Sequence, residues 1–180
     1  NKFRQMYDLM ATPNMFRTAS GAPGPAYYQQ QADYKIDVEL DDENTKLYGT
    51  ETITYHNNSP ENLEYLWVQL DQNRRAADSE SPLANSEKVN QSYTSEGFSR
   101  RYMEEAFDGG FKIAYVKDAN GKPMSYTINK TMMRINLAEP LKSGSKISFS
   151  IKWWYNINNY FIVGGRSGYE HFEEGNNNIY

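Results

Sequence analysis

The chain has 180 residues, a formal net charge of −4 and no cysteine. The lack of cysteine excludes disulfide bonds, thiolate nucleophiles and cysteine-ligated zinc, and the acidic balance argues against a nucleic-acid partner, which usually meets a basic face. No apolar run reaches the roughly 20 residues of a membrane-spanning helix, and the length suits a single folded domain with a real core.

Residues 1–33 are predicted to form an arm in front of the main domain. Residues 2–10 favour a short helix with its apolar side buried, and the prolines and glycines between positions 13 and 25 favour an irregular, extended path. Such arms usually lie across the domain that follows or dock on a neighbouring one. Tyr27 and Tyr28 are the expected anchor of this arm.

Residues 34–73 predict a β-meander of three strands. Over residues 34–40 apolar and polar residues alternate, which is the two-residue period of a half-buried strand. Short polar side chains at 41–44 favour a turn, and residues 47–55 are rich in the β-branched residues that strands prefer. Residues 63–70 are apolar on both faces around Trp67, so we expect a central, buried third strand.

The stretch 74–110 is polar and shows little periodicity. Because a structureless loop of this length is uncommon in a compact domain, we expect a short helix at about 99–107. A solvated excursion is the favoured interpretation, and a substrate-specificity loop is the alternative.

A second block of strands follows from residue 111. Apolar alternation predicts strands over 111–115, 132–137 and 147–153, and Asp118-Ala119-Asn120-Gly121 predicts a hairpin turn with residues 124–128 returning antiparallel. Many short strands without a long helix indicate an all-β fold. We therefore expect an antiparallel β-sandwich or a curved, saddle-like sheet over residues 34–180, with a short N-terminal helix or arm.

Several segments also resemble one protein family. They read GPAYYQQ at 24–30, ADY at 32–34, LYGTETITY at 47–55, NNSP at 57–60, LWVQLDQN at 66–73 and GGRSGYE at 164–170. In this order they resemble the amino-terminal β-domain of the aminopeptidase N family of zinc metallopeptidases, the gluzincins, and most closely its secreted, Bacteroidetes-type branch. The similarity covers most of the chain, more loosely in the middle, and includes no catalytic signature.

The family's catalytic motif is missing from this sequence. Gluzincins bind zinc through His-Glu-x-x-His on a helix, whereas the two histidines here, His56 and His171, precede Asn57 and Phe172. The family's Gly-x-Met-x-Asn exopeptidase loop is missing as well. The resemblance therefore implies a non-catalytic domain of a larger zinc aminopeptidase, with zinc and the peptide substrates bound by a catalytic domain outside this segment, and a periplasmic or extracellular bacterial location after signal-peptide removal.

The aromatic residues are the candidate functional side chains. In a strand, Trp153 continues the apolar alternation of residues 147–151 and is expected in the core, while Trp154 points the other way. Exposed aromatics could stack on sugars or cover an interface with the missing domain, and the resemblance favours the interface. The candidate interdomain residues are Tyr27, Tyr28, Trp154, Tyr155, Tyr160, Arg166 and Tyr169.

Other patterns give weaker indications. His171 and Glu174 have the spacing of two metal ligands on a helix, but Gly168 and Gly175 flank them and two ligands are too few for a closed zinc site. We predict no catalytic and no metal-binding residue in this segment. The alternatives to the metallopeptidase domain are a secreted β-sandwich that binds glycan or protein through its aromatics, and a scaffold homologue that has lost its active site.

Overall fold

The structure, a computed structural model, describes residues 12–80, 92, 94–103, 107–163 and 167–180. Its fold is all-β, as predicted, and its strands pair antiparallel. The strands are β1 Gln31–Asp41, β2 Lys46–His56, β3 Leu63–Gln69, β4 Lys112–Asp118, β5 Tyr126–Asn129, β6 Met132–Leu141, β7 Lys146–Asn156, β8 Glu170–Phe172 and β9 Asn177–Ile179. Short helices lie at Asp71–Arg75 (3₁₀), at Ser95–Tyr102 (α1) and at Tyr160–Val163 (α2).

The larger sheet has the strand order β1-β2-β7-β4. β2 pairs with β1 on one side and with β7 on the other, each over eleven residues. Where β2 meets β7, Gly49 lies opposite Trp153, and a Cβ on Gly49 would sit 2.3 Å from the indole ring. Glycine is therefore required at this position, because the ring lies directly on the backbone.

The second sheet has the order β3-β6-β5 and packs on the first. Its Leu66, Met133 and Ile135 share one buried cluster with residues of the larger sheet, among them Phe149 and Ile151. The two sheets thus form the sandwich, and the strand alternation seen in the sequence supplies one apolar side from each. Trp153 packs against this core, as expected.

The predicted meander is wrong in its third strand. β1 and β2 form the expected hairpin, but β3 pairs with β6 in the other sheet and not with β2. The chain changes sheets at Asn57, whose fully buried amide donates to the carbonyl oxygens of Glu61 and Leu141 at 2.7 and 3.0 Å. These bonds hold the end of β2 against the end of β6, so the chain leaves toward the second sheet.

β3 is also an edge strand and not the buried central strand that its composition suggested. Trp67 is 53% exposed, and its ring centroid lies 6.0 Å from that of Tyr65 on the same outer side. The Arg134 guanidinium covers Tyr65 at 4.1 Å. The sequence of this strand is apolar on both faces because Tyr65 and Trp67 contact each other on its solvent side.

The predicted turn at 118–121 forms, but its strand pairing differs. The Asp118 carboxylate accepts hydrogen bonds from the backbone N–H groups of Asn120 and Lys122, both at 2.9 Å. Beyond a single bridge between Lys117 and Pro123, β5 pairs with β6 and not with β4, so the expected antiparallel return over 124–128 is wrong. β4 instead borders β7 in the larger sheet.

The predicted helices meet different outcomes. The helix expected at 99–107 is found at Ser95–Tyr102, where the Thr94 side chain caps its first turn by accepting from the Gly97 N–H at 3.1 Å. The helix predicted at 2–10 lies outside the described residues. In the described part of the chain, no helix has the length and apolar character needed to cross a membrane.

Candidate functional site

An aromatic groove of about 580 Å³ opens at one end of the larger sheet. Three parts of the chain enclose it: the β1–β2 end of the sheet, the segment that runs from β7 through α2, and the β8–β9 hairpin. Its walls are mainly apolar and aromatic, and we define the aromatic groove by these residues: Leu40, Leu47, Gln72, Tyr155, Ile157, Asn158, Tyr160, Ser167, Gly168, Tyr169, Glu170, Ile179 and Tyr180.

The floor of the groove is a row of side chains across three strands. Leu40 on β1 lies opposite Leu47 on β2, which in turn lies opposite Tyr155 on β7. Residues in such a row point to the same face of the sheet. The Tyr155 ring stacks on Trp153 at 5.8 Å and meets Phe111 edge-on at 5.3 Å. Burial raises the pKa of the Tyr155 hydroxyl, so this side chain is uncharged at neutral pH.

The opposite wall is fixed by backbone bonds. The Tyr160 N–H donates to the Tyr169 carbonyl and the Tyr169 N–H donates to the Asn158 carbonyl, both at 2.9 Å. Asn158 itself is 1% exposed, and its side-chain amide donates to the Ser167 carbonyl at 2.9 Å. This buried amide holds the chain around Asn158 against the chain around Ser167 and so fixes the positions of Tyr160 and Tyr169.

Gly168 allows its own backbone to approach the backbone of Asn158 closely. Its φ is +148°, and a Cβ there would lie 2.6 Å from the Asn158 carbonyl oxygen. Only glycine fits such a position without moving the backbone. The Arg75 guanidinium reaches the same loop and donates to the Ser167 hydroxyl at 3.2 Å.

The β8–β9 hairpin closes the groove through one carboxylate. The Tyr180 hydroxyl donates to Asp42 at 2.7 Å, and the Asn178 amide donates to the same oxygen at 3.0 Å. These two bonds lower the pKa of Asp42, with the Tyr180 bond as the larger cause. Burial, followed by the bond to Asp42 and its charge, raises the pKa of Tyr180 to about 12.

The structure places the predicted interface residues in three different regions. Tyr155, Tyr160 and Tyr169 line the aromatic groove. Trp154 lies on the other side of the sheet, where its ring contacts Tyr48 at 6.3 Å.

The remaining predicted residues lie away from the groove or outside the described chain. Tyr27 and Tyr28 precede β1, where the Arg17 guanidinium covers Tyr27 at 5.1 Å and Phe16 meets Tyr28 edge-on at 5.7 Å. Arg166 lies outside the described residues. The structure thus brings together three of the seven predicted side chains.

Sequence reasoning missed the other side chains of the groove. The sequence pattern marks Leu40 and Leu47 only as strand residues and gives no signal for Tyr180. Tyr180 bonds Asp42, which is 138 positions away in the chain, and such a contact leaves no local pattern. The aromatic alternation Trp153-Tyr155 was the one available signal, because it places Tyr155 on the same side as the core.

The groove offers binding contacts more than reactive groups. It has stacked rings, the amide of Gln72 and the carboxylate of Glu170. The described residues do not fit a zinc site, since no three His, Cys, Asp or Glu side chains converge among them. His56 bonds Asp33 at 3.1 Å and His171 bonds Asn178 at 2.9 Å, on separate strands.

No family model and no curated protein matches the sequence. Among solved structures, the chain is similar to M1 zinc metallopeptidases.

An M1 zinc metallopeptidase mutant from Deinococcus radiodurans, bound to a Tyr-Ser-Ala substrate, aligns with a TM-score of 0.42 and 12% identity over 71% of this chain. A two-domain M1 zinc metallopeptidase mutant bound to L-tryptophan aligns with a TM-score of 0.43 and 11% identity over 77% of this chain. The chain covers 21% and 23% of those two chains, or about a fifth of their length.

Proposed function

We propose that this chain is a non-catalytic, amino-terminal β-domain of a zinc-dependent, aminopeptidase-like metallopeptidase. In this proposal it packs on the catalytic domain through the aromatic groove and helps to frame the peptide-binding cavity. Zinc and the groups that hydrolyse the peptide belong to the catalytic domain. The order of sequence segments that resembles the aminopeptidase N family supports this assignment.

The observation that carries the packing role is the aromatic groove itself. Tyr155, Tyr160 and Tyr169 were singled out from the sequence as interface residues, and they line one concave, apolar surface. Tyr160 remains 47% exposed there. Exposed aromatic residues clustered on a rigid framework are typical of surfaces that another protein layer covers.

The function is tested by an aminopeptidase assay on the protein encoded by the complete gene, beside the 180-residue chain. We expect the longer protein to release amino-terminal residues from peptides and to lose this activity with a zinc chelator. The chain alone should be inactive with and without zinc. Activity in the chain alone, or an inert, folded and zinc-supplied longer protein, would contradict the proposal.

One observation favours a second function, a module that binds glycans. Tyr65 and Trp67 are exposed side by side on β3, and an exposed indole can stack on a sugar ring. Their rings stand at 80° to each other, so they do not form one flat platform. Retention of the chain on immobilised polysaccharide, lost in Trp67→Ala, would support this function in place of the first.

A further inference from the structure

The two sheets of the sandwich have four edge strands, and three of them are poor partners for another strand. β4 and β3 each carry a register shift, between Ile113 and Tyr115 and between Leu63 and Tyr65. β5 has only four residues. Bulged and short edges are the features by which proteins prevent unwanted strand pairing.

β1 is the exception. It has eleven residues, and it pairs with β2 in one unbroken register over its whole length. It contains no proline, and within the residues that the structure describes its second edge borders no other strand. A long, regular and open edge presents a row of free backbone donors and acceptors, and is therefore a template for one more strand.

The apolar side chains of β1 on the core side of the sheet are also left uncovered. Tyr34, Ile36, Val38 and Leu40 are between 46% and 62% exposed, although they point to the same face as the buried Ile53. A neighbouring strand with apolar residues at alternate positions would flank these side chains and remove part of them from water. At its Leu40 end this row of side chains enters the aromatic groove.

The other face of β1 carries charged side chains, and these restrict which strand can pair beside them. Lys35, Asp37 and Glu39 lie opposite the uncharged Thr52, Thr50 and Tyr48 of β2. Opposite charges directly across a strand pair are favourable and like charges are unfavourable. The charges of this face are therefore best met from the open side, by an acidic residue beside Lys35 and basic residues beside the two carboxylates.

A second copy of the chain meets this requirement poorly. If two β1 strands pair antiparallel about Ile36, each Lys35 meets an Asp37, but each Asp33 meets a Glu39. Pairing about Asp37 places the two Asp37 carboxylates against each other. In both registers the favourable charge pairs are offset by like-charge pairs. Pairing about Tyr34 joins each Lys35 to an Asp33 without a like-charge pair, but it uses only seven of the eleven residues of β1 and leaves Glu39 outside the pairing. The charges of the full strand therefore favour a partner of different sequence.

We propose that β1 is a strand-addition site for an extended polypeptide segment of another sequence. The segment pairs antiparallel with the open edge of β1, with apolar residues beside Ile36 and Val38, basic residues beside Asp37 and Glu39, and an acidic residue beside Lys35. This site is distinct from the packing role of the aromatic groove and does not depend on it.

The probe is a fluorescent peptide with the central sequence Lys-Val-Lys-Ile-Glu-Val, which places these residues in antiparallel order beside positions 39 to 34. Binding to the 180-residue chain is measured by fluorescence anisotropy, and the site is mapped from backbone amide shifts by NMR. We expect saturable binding that shifts the β1 amides. A charge-reversed peptide, Glu-Val-Glu-Ile-Lys-Val, should bind at least about tenfold more weakly, because three cross-strand pairs change sign.

Two controls separate strand addition from general apolar adhesion. The protein variant Lys35→Glu/Asp37→Lys/Glu39→Lys changes only exposed side chains and should invert the preference between the two peptides, with an unchanged unfolding midpoint. Two further peptides carry N-methyl groups at every second residue, one at the odd positions and the other at the even positions. Each of these two phases blocks the backbone donors along one edge of the peptide only. One phase should abolish binding and the other should preserve it, since only one side faces β1.

The proposal is overturned if the first peptide does not bind, if both peptides bind within twofold of each other, or if the two N-methyl phases behave alike. It is also overturned if sedimentation shows a dimer in which the β1 amides are already protected from exchange. In that case a second copy occupies the edge. None of these outcomes bears on the aminopeptidase assay, so this proposal and the proposed function fail separately.

Discussion

At the scale of single residues, Asn57 is a buried polar group at the junction between the two sheets. Its side chain is fully buried and donates two hydrogen bonds, and its side-chain oxygen Oδ1 accepts from the Gln30 amide, from the Ser59 hydroxyl and from the Ser59 N–H. Removing such a side chain leaves its buried partners without hydrogen bonds, and an unsatisfied buried polar group costs folding free energy.

We expect Asn57→Ala to lower the free energy of unfolding by about 2–4 kcal/mol. Urea denaturation followed by circular dichroism measures this change. The matched control is Asn120→Ala, an exposed asparagine of the 118–121 turn, which should cost less than about 0.5 kcal/mol. Equal effects of the two substitutions would show that Asn57 does not hold the junction between the sheets.

Glu51 is a second residue with a testable role. It faces the core side of β2 between Ile36 on β1 and Ile151 on β7. Burial raises its pKa above the ordinary value of 4.5, and the indole of Trp153 lowers it by a smaller amount. A raised carboxyl pKa contributes stability below the unfolded value, and that contribution is lost as pH rises through the folded pKa.

Glu51→Gln should therefore melt at a higher temperature than the native chain at neutral pH. The difference should shrink as pH falls below 4.5, where the native side chain is also uncharged. Thermal unfolding at both pH values measures it, with Glu39→Gln, a substitution at an exposed position of β1, measured beside it. A pH-independent difference, or a lower melting temperature at neutral pH, would exclude this role of burial.

At the scale of elements, the β8–β9 hairpin is held to the sheet through Asp42. Tyr180 and Asn178 both donate to this carboxylate, and the hairpin has only three residue pairs of its own. Because such a short hairpin is not stable alone, these bonds decide whether it stays docked on the groove.

In Asp42→Asn the tyrosine loses its anionic acceptor, so the pKa of Tyr180 should fall from about 12 toward the ordinary 10. The neutral hydroxyl contributes stability below the unfolded pKa of 10, and this is lost as pH rises through 12. Tyrosinate absorbance, with Tyr180→Phe subtracted, measures the shift, and amide exchange at 170–179 should accelerate. An unchanged titration would contradict the link.

The sequence predicted elements better than their pairing. Alternation in residues 34–40 and 147–153 located β1 and β7, because a strand's two-residue period is local. It could not show that β3 joins β6, since that choice rests on the contact of Asn57 with Leu141, 84 positions away. The local run of aromatic residues predicted an interface role for Tyr155. The β8–β9 hairpin residues that complete the groove were not predicted, because they reach it through contacts with residues far away in the chain.

At the scale of the whole molecule, the sandwich leaves two surfaces open on the same side. One is the row of β1 side chains and the other is the aromatic groove, and they meet at Leu40. Partners that covered these surfaces would remove apolar side chains from water, which is how packed surfaces gain most of their stabilisation. The proposed function requires that the groove, at least, be covered by a neighbouring domain.

The most direct test of that account compares solvent access to the groove in two proteins by hydroxyl-radical footprinting. One is the 180-residue chain, and the other is the protein encoded by the complete gene. We predict that Tyr160 and Tyr169 are oxidised readily in the chain and are protected in the longer protein, while Tyr126 on β5 reacts equally in both. Equal oxidation of Tyr160 and Tyr169 in the two proteins would contradict the account, because the groove would then face solvent and not a catalytic domain.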